Sequence, residues 1–232
     1  MEYLHNGFTL EICDGAFPLS TDSMVLAEFA KLPRNAKVLD LGSGCGTLGL
    51  LLCAQHPDCW ITGAELNGKA HEAALDNIAR NQLEGRVTSI CRDLRQLDGH
   101  ITPGSYHCCI SNPPYFSGGP ASKTVPTARR NDLCSTEELF QAASRALRYG
   151  GDFFLVHRPE MLAELCACAR ANQLEQNRMR LIRHKEGGPV TLVLLACRKG
   201  GKPGLVWEEY ALRDAAGNPT PYYNKIYHLQ EV

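Results

Sequence analysis

Between Lys37 and Gln55 the chain fits an apolar run, four glycines and a helix-forming run into nineteen residues. Lys37-Val38-Leu39-Asp40-Leu41 reads as a short strand, Gly42-Ser43-Gly44-Cys45-Gly46 follows with no spacer, and Thr47 to Gln55 reads as the helix after it. Glycines at such a junction allow a tight turn and let a ligand touch main-chain N–H groups. A strand that enters a helix through a glycine turn opens a parallel α/β sheet, and the chain downstream repeats the alternation. Strands are expected at Trp60 to Glu65, Arg86 to Cys91, Tyr106 to Ser111 and Asp152 to His157, with helices at His71 to Gln82, Thr136 to Leu147 and Pro159 to Ala171. Ser135 and Glu138 make a capping box for the helix starting at Thr136, and Gly150-Gly151 is expected to close it. Met179 to His184 and Val190 to Cys197 meet across Gly187-Gly188 as an antiparallel pair. Upstream, Leu32-Pro33-Arg34 sets apart one helix, Ser23 to Lys31, capped by Ser20 or Thr21. The expected organisation is an N-terminal extension over residues 1–34, an α/β domain over 35–200, and a tail over 201–232 packed on the same domain, irregular apart from an edge strand.

A chain of 232 residues that is 44 % hydrophobic buries a core without help from metals or disulfides. The eleven cysteines contain no Cys-x-x-Cys pair, and several sit inside apolar runs, so they read as small core residues in a reducing compartment rather than as disulfides or metal ligands. The longest apolar stretch, Leu48 to Ala54, is far short of the ~20 residues a membrane span needs. Met1 to Gly7 lacks a basic stretch followed by an apolar one, from which a cytoplasmic location is expected. A monomer without metal or membrane association is the expected state. The net charge of −1 is unevenly spread. Residues 1–114 hold 8 Lys and Arg against 13 Asp and Glu, residues 115–202 hold 14 against 8, and the remainder 2 against 4. The middle third is either a polyanion-facing surface or a set of solvated helix charges.

The glycine turn has acidic followers. Read from Gly44, the segment matches G-x-G-x-x-G, and Glu65 ends the second strand about 20 residues on. A carboxylate there suits the two hydroxyls of a ribose. Asp40, inside the strand before the turn, can face an ammonium, and Asp93, with Leu94 beside it after the third strand, can accept from an adenine amino group. A cofactor bearing a cation and no phosphate suits such acids, whereas a pyrophosphate is repelled by them. An NAD-dependent oxidoreductase remains the competing reading of the glycine turn.

Asn112-Pro113-Pro114-Tyr115 ends the fourth strand, at the carboxyl edge where α/β sheets bind ligands. An exocyclic amino group conjugated to a ring or carbonyl is a poor nucleophile because its lone pair is delocalised. Two acceptors placed opposite its N–H bonds, the Asn112 side-chain oxygen and the Pro113 carbonyl, favour the pyramidal nitrogen of the transition state. The prolines stiffen the loop, and Tyr115 supplies a ring to stack on a planar substrate.

Asp40-Leu41-Gly42-Ser43-Gly44-Cys45-Gly46, Glu65, Asp93 and Asn112-Pro113-Pro114-Tyr115 together resemble class I S-adenosylmethionine-dependent methyltransferases that act on amino groups. Pro18 to Ser23, Ala128-Arg129-Arg130, Val156 to Glu160 and Lys199 to Gly204 make the resemblance closer to bacterial tRNA1(Val) (adenine(37)-N6)-methyltransferases. The chain departs from that family's Ala-Arg-His-Glu at Ala128-Arg129-Arg130-Asn131. The resemblance implies a Rossmann-like, seven-stranded, mostly parallel sheet with helices on both faces and an antiparallel last strand. It further implies S-adenosylmethionine as cofactor and a tRNA adenine as substrate. Asp40, Gly42, Gly44, Gly46, Glu65, Asp93, Leu94, Asn112 and Thr21 would hold the cofactor. Asn112 to Tyr115 would be catalytic, and Tyr115, Phe116, Arg129 and Arg130 would hold the base. Lys123, Arg158, Lys199 and Lys202 are candidates for phosphate contacts. A glutamine amide of a protein presents the same planar NH2 and stays open as an alternative substrate.

Overall fold

The structure, a computed structural model, describes residues 1–14, 18–114 and 134–227. A small antiparallel ribbon of β1 (Glu2–Tyr3) and β2 (Thr9–Leu10) precedes α1 (Thr21–Phe29). There follow β3 (Lys37–Leu41), α2 (Thr47–Gln55), β4 (Trp60–Glu65), α3 (Gly68–Arg80), β5 (Val87–Cys91) and β6 (Tyr106–Ser111). After these come α4 (Thr136–Ala146), β7 (Leu147–His157), α5 (Leu162–Ala171), β8 (Leu174–Lys185), β9 (Val190–Lys199), β10 (Val206–Arg213) and α6 (Pro221–Ile226). The main sheet has the order β10-β8-β9-β7-β6-β3-β4-β5. Strands β3 to β7 are parallel, and β9 lies antiparallel between β7 and β8.

Strands this apolar must be covered on both faces, and the period-2 alternation of a strand divides their side chains between two cores. Val38, Cys108, Ile110, Phe154 and Leu194 point to the face covered by α1, α2 and α3. Their neighbours Leu39, Cys109, Phe153 and Leu195 point to the face covered by α4 and α5. Each core has an edge-to-face aromatic pair, Phe29–Phe154 on one side and Phe140–Phe153 on the other. All eleven cysteines are free thiols, six of them buried. Among the described residues no helix is long and apolar enough to cross a membrane.

The sheet has eight strands where seven were implied. The eighth, β10, is the edge strand expected in the tail; it pairs parallel with β8, setting Glu208 beside Arg180 and bringing Glu209 within reach of Arg183. The tail also forms α6, which packs against β10 and α1. Gly150-Gly151 does not close α4. That helix ends at Ala146 and the chain passes directly into β7, with Gly150 at φ +76° inside the strand and a register shift between Tyr106 and Cys108 opposite. The glycines mark a bulge, because a Cβ on Gly151 would fall 2.9 Å from the His107 carbonyl. Helix α3 starts at Gly68, earlier than the expected His71, because Asn67 caps it by accepting from Lys69 and Ala70 N–H.

Candidate active site

From β3 the chain moves outward through β4 to β5, then crosses back to place β6 on the other side of β3. The two directions diverge between β3 and β6, and at such a switch point the loops leaving the carboxyl ends open a crevice. The glycine turn leaves β3 and Asn112 leaves β6, so the two signatures flank this crevice. The Ser111 hydroxyl donates to the Leu41 carbonyl at 2.7 Å, pinning the two exits together. Glu65 follows at the end of β4 and Asp93 just past β5. The four strand ends span three inter-strand spacings, about 15 Å.

Gly42, Gly44 and Gly46 have φ of +76°, +56° and +85°, a left-handed path that side chains resist. The Gly42 and Ser43 N–H groups both donate to the Ala64 carbonyl, and Gly44 N–H donates to one Glu65 oxygen at 2.8 Å. The other Glu65 oxygen accepts from Asn67 N–H at 2.7 Å. The carboxylate is thus oriented by main chain and keeps further lone pairs for another donor. Asp40 is 1 % exposed, and among the described residues neither of its oxygens has a hydrogen-bond partner. Burial, with the Glu65 charge adding to it, pushes its pKa up to about 8. A buried carboxyl normally finds a donor, and one left without any is a mark of a ligand position or of stored cost.

Asp93 is not an open acceptor. The Arg95 side chain grips it, with Nε 2.9 Å from both oxygens, and Arg95 reaches Glu138 at 3.6 Å as well. The Arg95 hydrogen bond, partly opposed by burial, keeps the Asp93 carboxyl below its usual range. Leu94 packs against the α4–α5 core and lines a cleft of about 190 Å³ with Arg95, Glu138 and Arg145. That cleft runs along α4 rather than over the glycine turn.

Asn112 is half-buried, and its Nδ2 donates to the Ser23 hydroxyl of α1 at 3.1 Å. Pro113 is half-buried and Pro114 exposed. Thr21 is the first residue of α1 and not its cap, a role taken by Ser20; its hydroxyl is instead 2.7 Å from that of Tyr227 beyond α6. Tyr115, Phe116, Lys123, Arg129 and Arg130 lie outside the described residues. Lys199 points inward, donating to the carbonyls of Ser144 and Leu147 at the end of α4, which removes it from the phosphate candidates. Arg158 is exposed at the carboxyl end of β7, and Lys202 is exposed beyond β9.

Three contributors escape a reading of spacing. Ser23 is one. Leu66 stands 53 % exposed on the rim just after Glu65, an apolar side chain beside an acid where solvent alone would favour a polar one. Asn77, fully buried in α3, accepts from Glu11 N–H and donates to the carbonyls of Glu11 and Cys45, tying the N-terminal segment to the glycine turn. Asn81 repeats the grip one helical turn later on both main-chain groups of Thr9. The sequence signal for this grip is the i, i+4 asparagine pair itself.

The model of the methyltransferase small domain family matches residues 19–176. A tRNA1(Val) (adenine(37)-N6)-methyltransferase of Bacteroides fragilis (strain YCH46) is 31 % identical over 184 residues, 78 % of this chain and 77 % of the relative. Another with that name, from Shewanella sp. (strain W3-18-1), is 28 % identical over 238 residues, 100 % of this chain and 98 % of the relative. Among solved structures, a predicted O-methyltransferase from Agrobacterium tumefaciens aligns with a TM-score of 0.75 at 21 % identity, over 90 % of this chain and 96 % of that one, a likeness of fold.

Proposed function

The chain belongs to the methyltransferase small domain family, in the branch of the tRNA1(Val) (adenine(37)-N6)-methyltransferases, and we propose that it transfers a methyl group from S-adenosylmethionine to the exocyclic N6 of the adenine beside the anticodon, position 37 of a valine tRNA. The observation that carries this reading is Asn112 leaving β6 at the switch point, beside a glycine turn whose strand holds the unpartnered carboxyl of Asp40. The residues fit the cofactor. An orphaned buried acid suits an ammonium, and Glu65, held by two N–H groups, suits a ribose diol. Leu66 offers an apolar surface to the flat face of an adenine. Asp93, whose oxygens Arg95 engages, can meet the adenine amino group only through the lone pairs that Arg95 leaves.

When bound, S-adenosylmethionine supplies an electrophilic methyl group. The chain supplies orientation. The Asn112 side-chain oxygen and the Pro113 carbonyl accept the two N6–H bonds, so the nitrogen becomes pyramidal with its lone pair directed at the methyl carbon. No side chain need remove a proton before the bond forms, since the methylated nitrogen then becomes acidic enough to lose one to solvent. Tyr115 and Phe116 stack on a base that an anticodon loop exposes at modest unstacking cost, and Arg129 and Arg130 contact the RNA beside it. On this reading residues 35–200 form the catalytic unit, with 1–34 and 201–232 packed on it.

The test is transfer of labelled methyl from S-adenosylmethionine to unmodified tRNA, with nucleoside mass spectrometry to locate the product. Asn112→Ala is expected to abolish transfer while cofactor binding is largely retained. Undiminished transfer in that variant refutes the mechanism, and label in a protein glutamine rather than in RNA refutes the substrate.

A further inference from the structure

We propose that Ser23 is a positioning residue, which acts through Asn112 by fixing the amide so that its oxygen, and not its nitrogen, meets the substrate amino group; this rests on the reading of Asn112 given above. A side-chain amide has two ends of nearly the same shape and opposite hydrogen-bonding character. Turned one way, Asn112 offers an acceptor to the N6–H bonds; turned the other, it sets N–H against N–H and favours the flat ground state. The end that faces forward is set by the contacts the amide makes, and it is the Nδ2 end that meets Ser23.

Ser23 is placed to do this. It is 6 % exposed, on the third residue of α1, and its Oγ accepts from Asn112 Nδ2 at 3.1 Å across 89 residues of sequence. The helix that carries it is fixed at both ends. Ser20 caps its start, and Thr21 meets Tyr227. Near its end Glu28 pairs with Arg180 and Lys225, while Met24, Val25, Leu26 and Ala27 are buried. A hydroxyl on so immobile an element fixes the amide end at little further entropic cost. The serine is also costly as a plain helix residue, because alanine is a better helix former and needs no partner when buried. A role confined to packing would therefore leave Ser23→Ala as stable as the parent or more so.

The experiment compares methyl transfer to unmodified tRNA by the full-length protein, Ser23→Ala, Ser23→Thr, Asn112→Asp and the Ser23→Ala/Asn112→Asp double variant, with calorimetry for S-adenosylmethionine. Ser23→Ala is expected to lower kcat by about tenfold to a hundredfold, the usual scale for a misplaced catalytic group, with KM for tRNA and cofactor affinity essentially unchanged. Ser23→Thr, which keeps the hydroxyl, is expected to recover most of the rate. A carboxylate presents an acceptor whichever way it turns, so Ser23→Ala is expected to cost little in the Asn112→Asp background. An unchanged kcat in Ser23→Ala, or the same loss in both backgrounds, overturns the positioning role. If Asn112→Asp is itself inactive, the Ser23→Thr variant decides, and failure to recover rate overturns it. Absence of methyl transfer by the parent protein would instead remove the functional reading, and the positioning role with it.

Discussion

Asp40→Asn removes one titratable proton at the end of β3 while leaving the side chain's shape unchanged. In the cofactor-free protein that carboxyl is buried, unpartnered and pushed up to about 8, against an ordinary value of 3.8. The folded state therefore keeps a proton that the unfolded chain gives up. Stability from this group is fully present below about pH 4 and is lost as pH rises towards 8. A tenfold change in proton affinity is worth about 1.4 kcal/mol, so keeping that proton at pH 7 costs the fold about 4 kcal/mol. The asparagine escapes the titration but buries an amide without partners, worth about 1–3 kcal/mol against it. The variant should thus be more stable than the parent by roughly 1–3 kcal/mol at pH 7, a rise of about 5 °C in Tm for a chain of this size. The advantage should disappear as pH falls towards 4.

Cofactor binding should move the other way. An ammonium placed against Asp40 favours the ionised carboxyl, so binding expels the proton: about 0.9 per site at pH 7 and about 0.5 at pH 8. Titration calorimetry in buffers of different ionisation heat reads that number directly. Asp40→Asn should bind S-adenosylmethionine more weakly, release no such proton, and show a larger affinity deficit at pH 8 than at pH 7. Buffer-independent heats in the parent protein, or equal affinity in the variant, would refute the reasoning that Asp40 faces a cation.

Three other substitutions probe the frame around the site. Asn77→Ala removes the ties to Glu11 and Cys45 and should destabilise by about 2–4 kcal/mol, lowering Tm by about 10 °C and weakening cofactor binding through the glycine turn; a Tm within about two degrees of the parent, on the same scale, contradicts this. Gly63→Ala puts a Cβ 2.7 Å from Ser43 Oγ, beneath the turn, and overpacking of about 1–3 kcal/mol should appear as a raised cofactor Kd, relieved when Ser43→Gly is added. Arg180→Met leaves Glu28 with Lys225 alone; burial raises that carboxyl, but Lys225 and Arg180 together hold it below its usual range. The stabilisation from the Arg180 contact is present above about pH 4.5 and lost as pH falls through the depressed value, so the cost of about 2–3 kcal/mol in urea unfolding should be larger at pH 7 than at pH 4.

The parts of this fold legible in the sequence are those for which local pattern and global burial agree. The bounds of β3, α2, β4 and β6 follow from apolar runs between turn residues, because both faces of those strands are covered. The first half of β8 hides its nature. Glu175-Gln176-Asn177-Arg178 has no apolar alternation, and it is a strand because β9 pairs with it and its side chains stay half exposed. In the tail the edge strand is legible but α6 is not, since six residues from Pro221 to Ile226 show no helical stripe long enough to read. At the candidate site, the strand-end positions of Glu65, Asp93 and Asn112 are readable because each lies where an apolar run stops. Ser23 and Asn77 are not, because a serine or asparagine inside a helix is ordinary until its partner, 89 or 66 residues away, is known.

Part of the uneven charge along the chain is met inside the fold. Cations of the basic middle segment meet acids from the segments on either side. Arg145 pairs with Asp98, Arg180 with Glu28 and Glu208, and Arg183 with Glu209, while Arg198 and Arg170 pair within their own segment. Arg178 lies over the Phe29 ring and Lys199 holds helix carbonyls. Three cations of the +6 segment, Arg145, Arg180 and Arg183, are thus taken up by acids of its neighbours. Arg158 is exposed at the end of β7, the strand next to β6, and tests whether a cation on this edge contacts a phosphate of a bound loop. Arg158→Ala should raise KM for tRNA and lower the salt slope of binding by about 0.7, the share of one contact on a single strand. Arg183→Ala should leave both unchanged and register only as a small loss of stability. If the two variants shift the salt slope alike, the cations act as a diffuse field, and the pairing seen in the fold does not govern RNA binding.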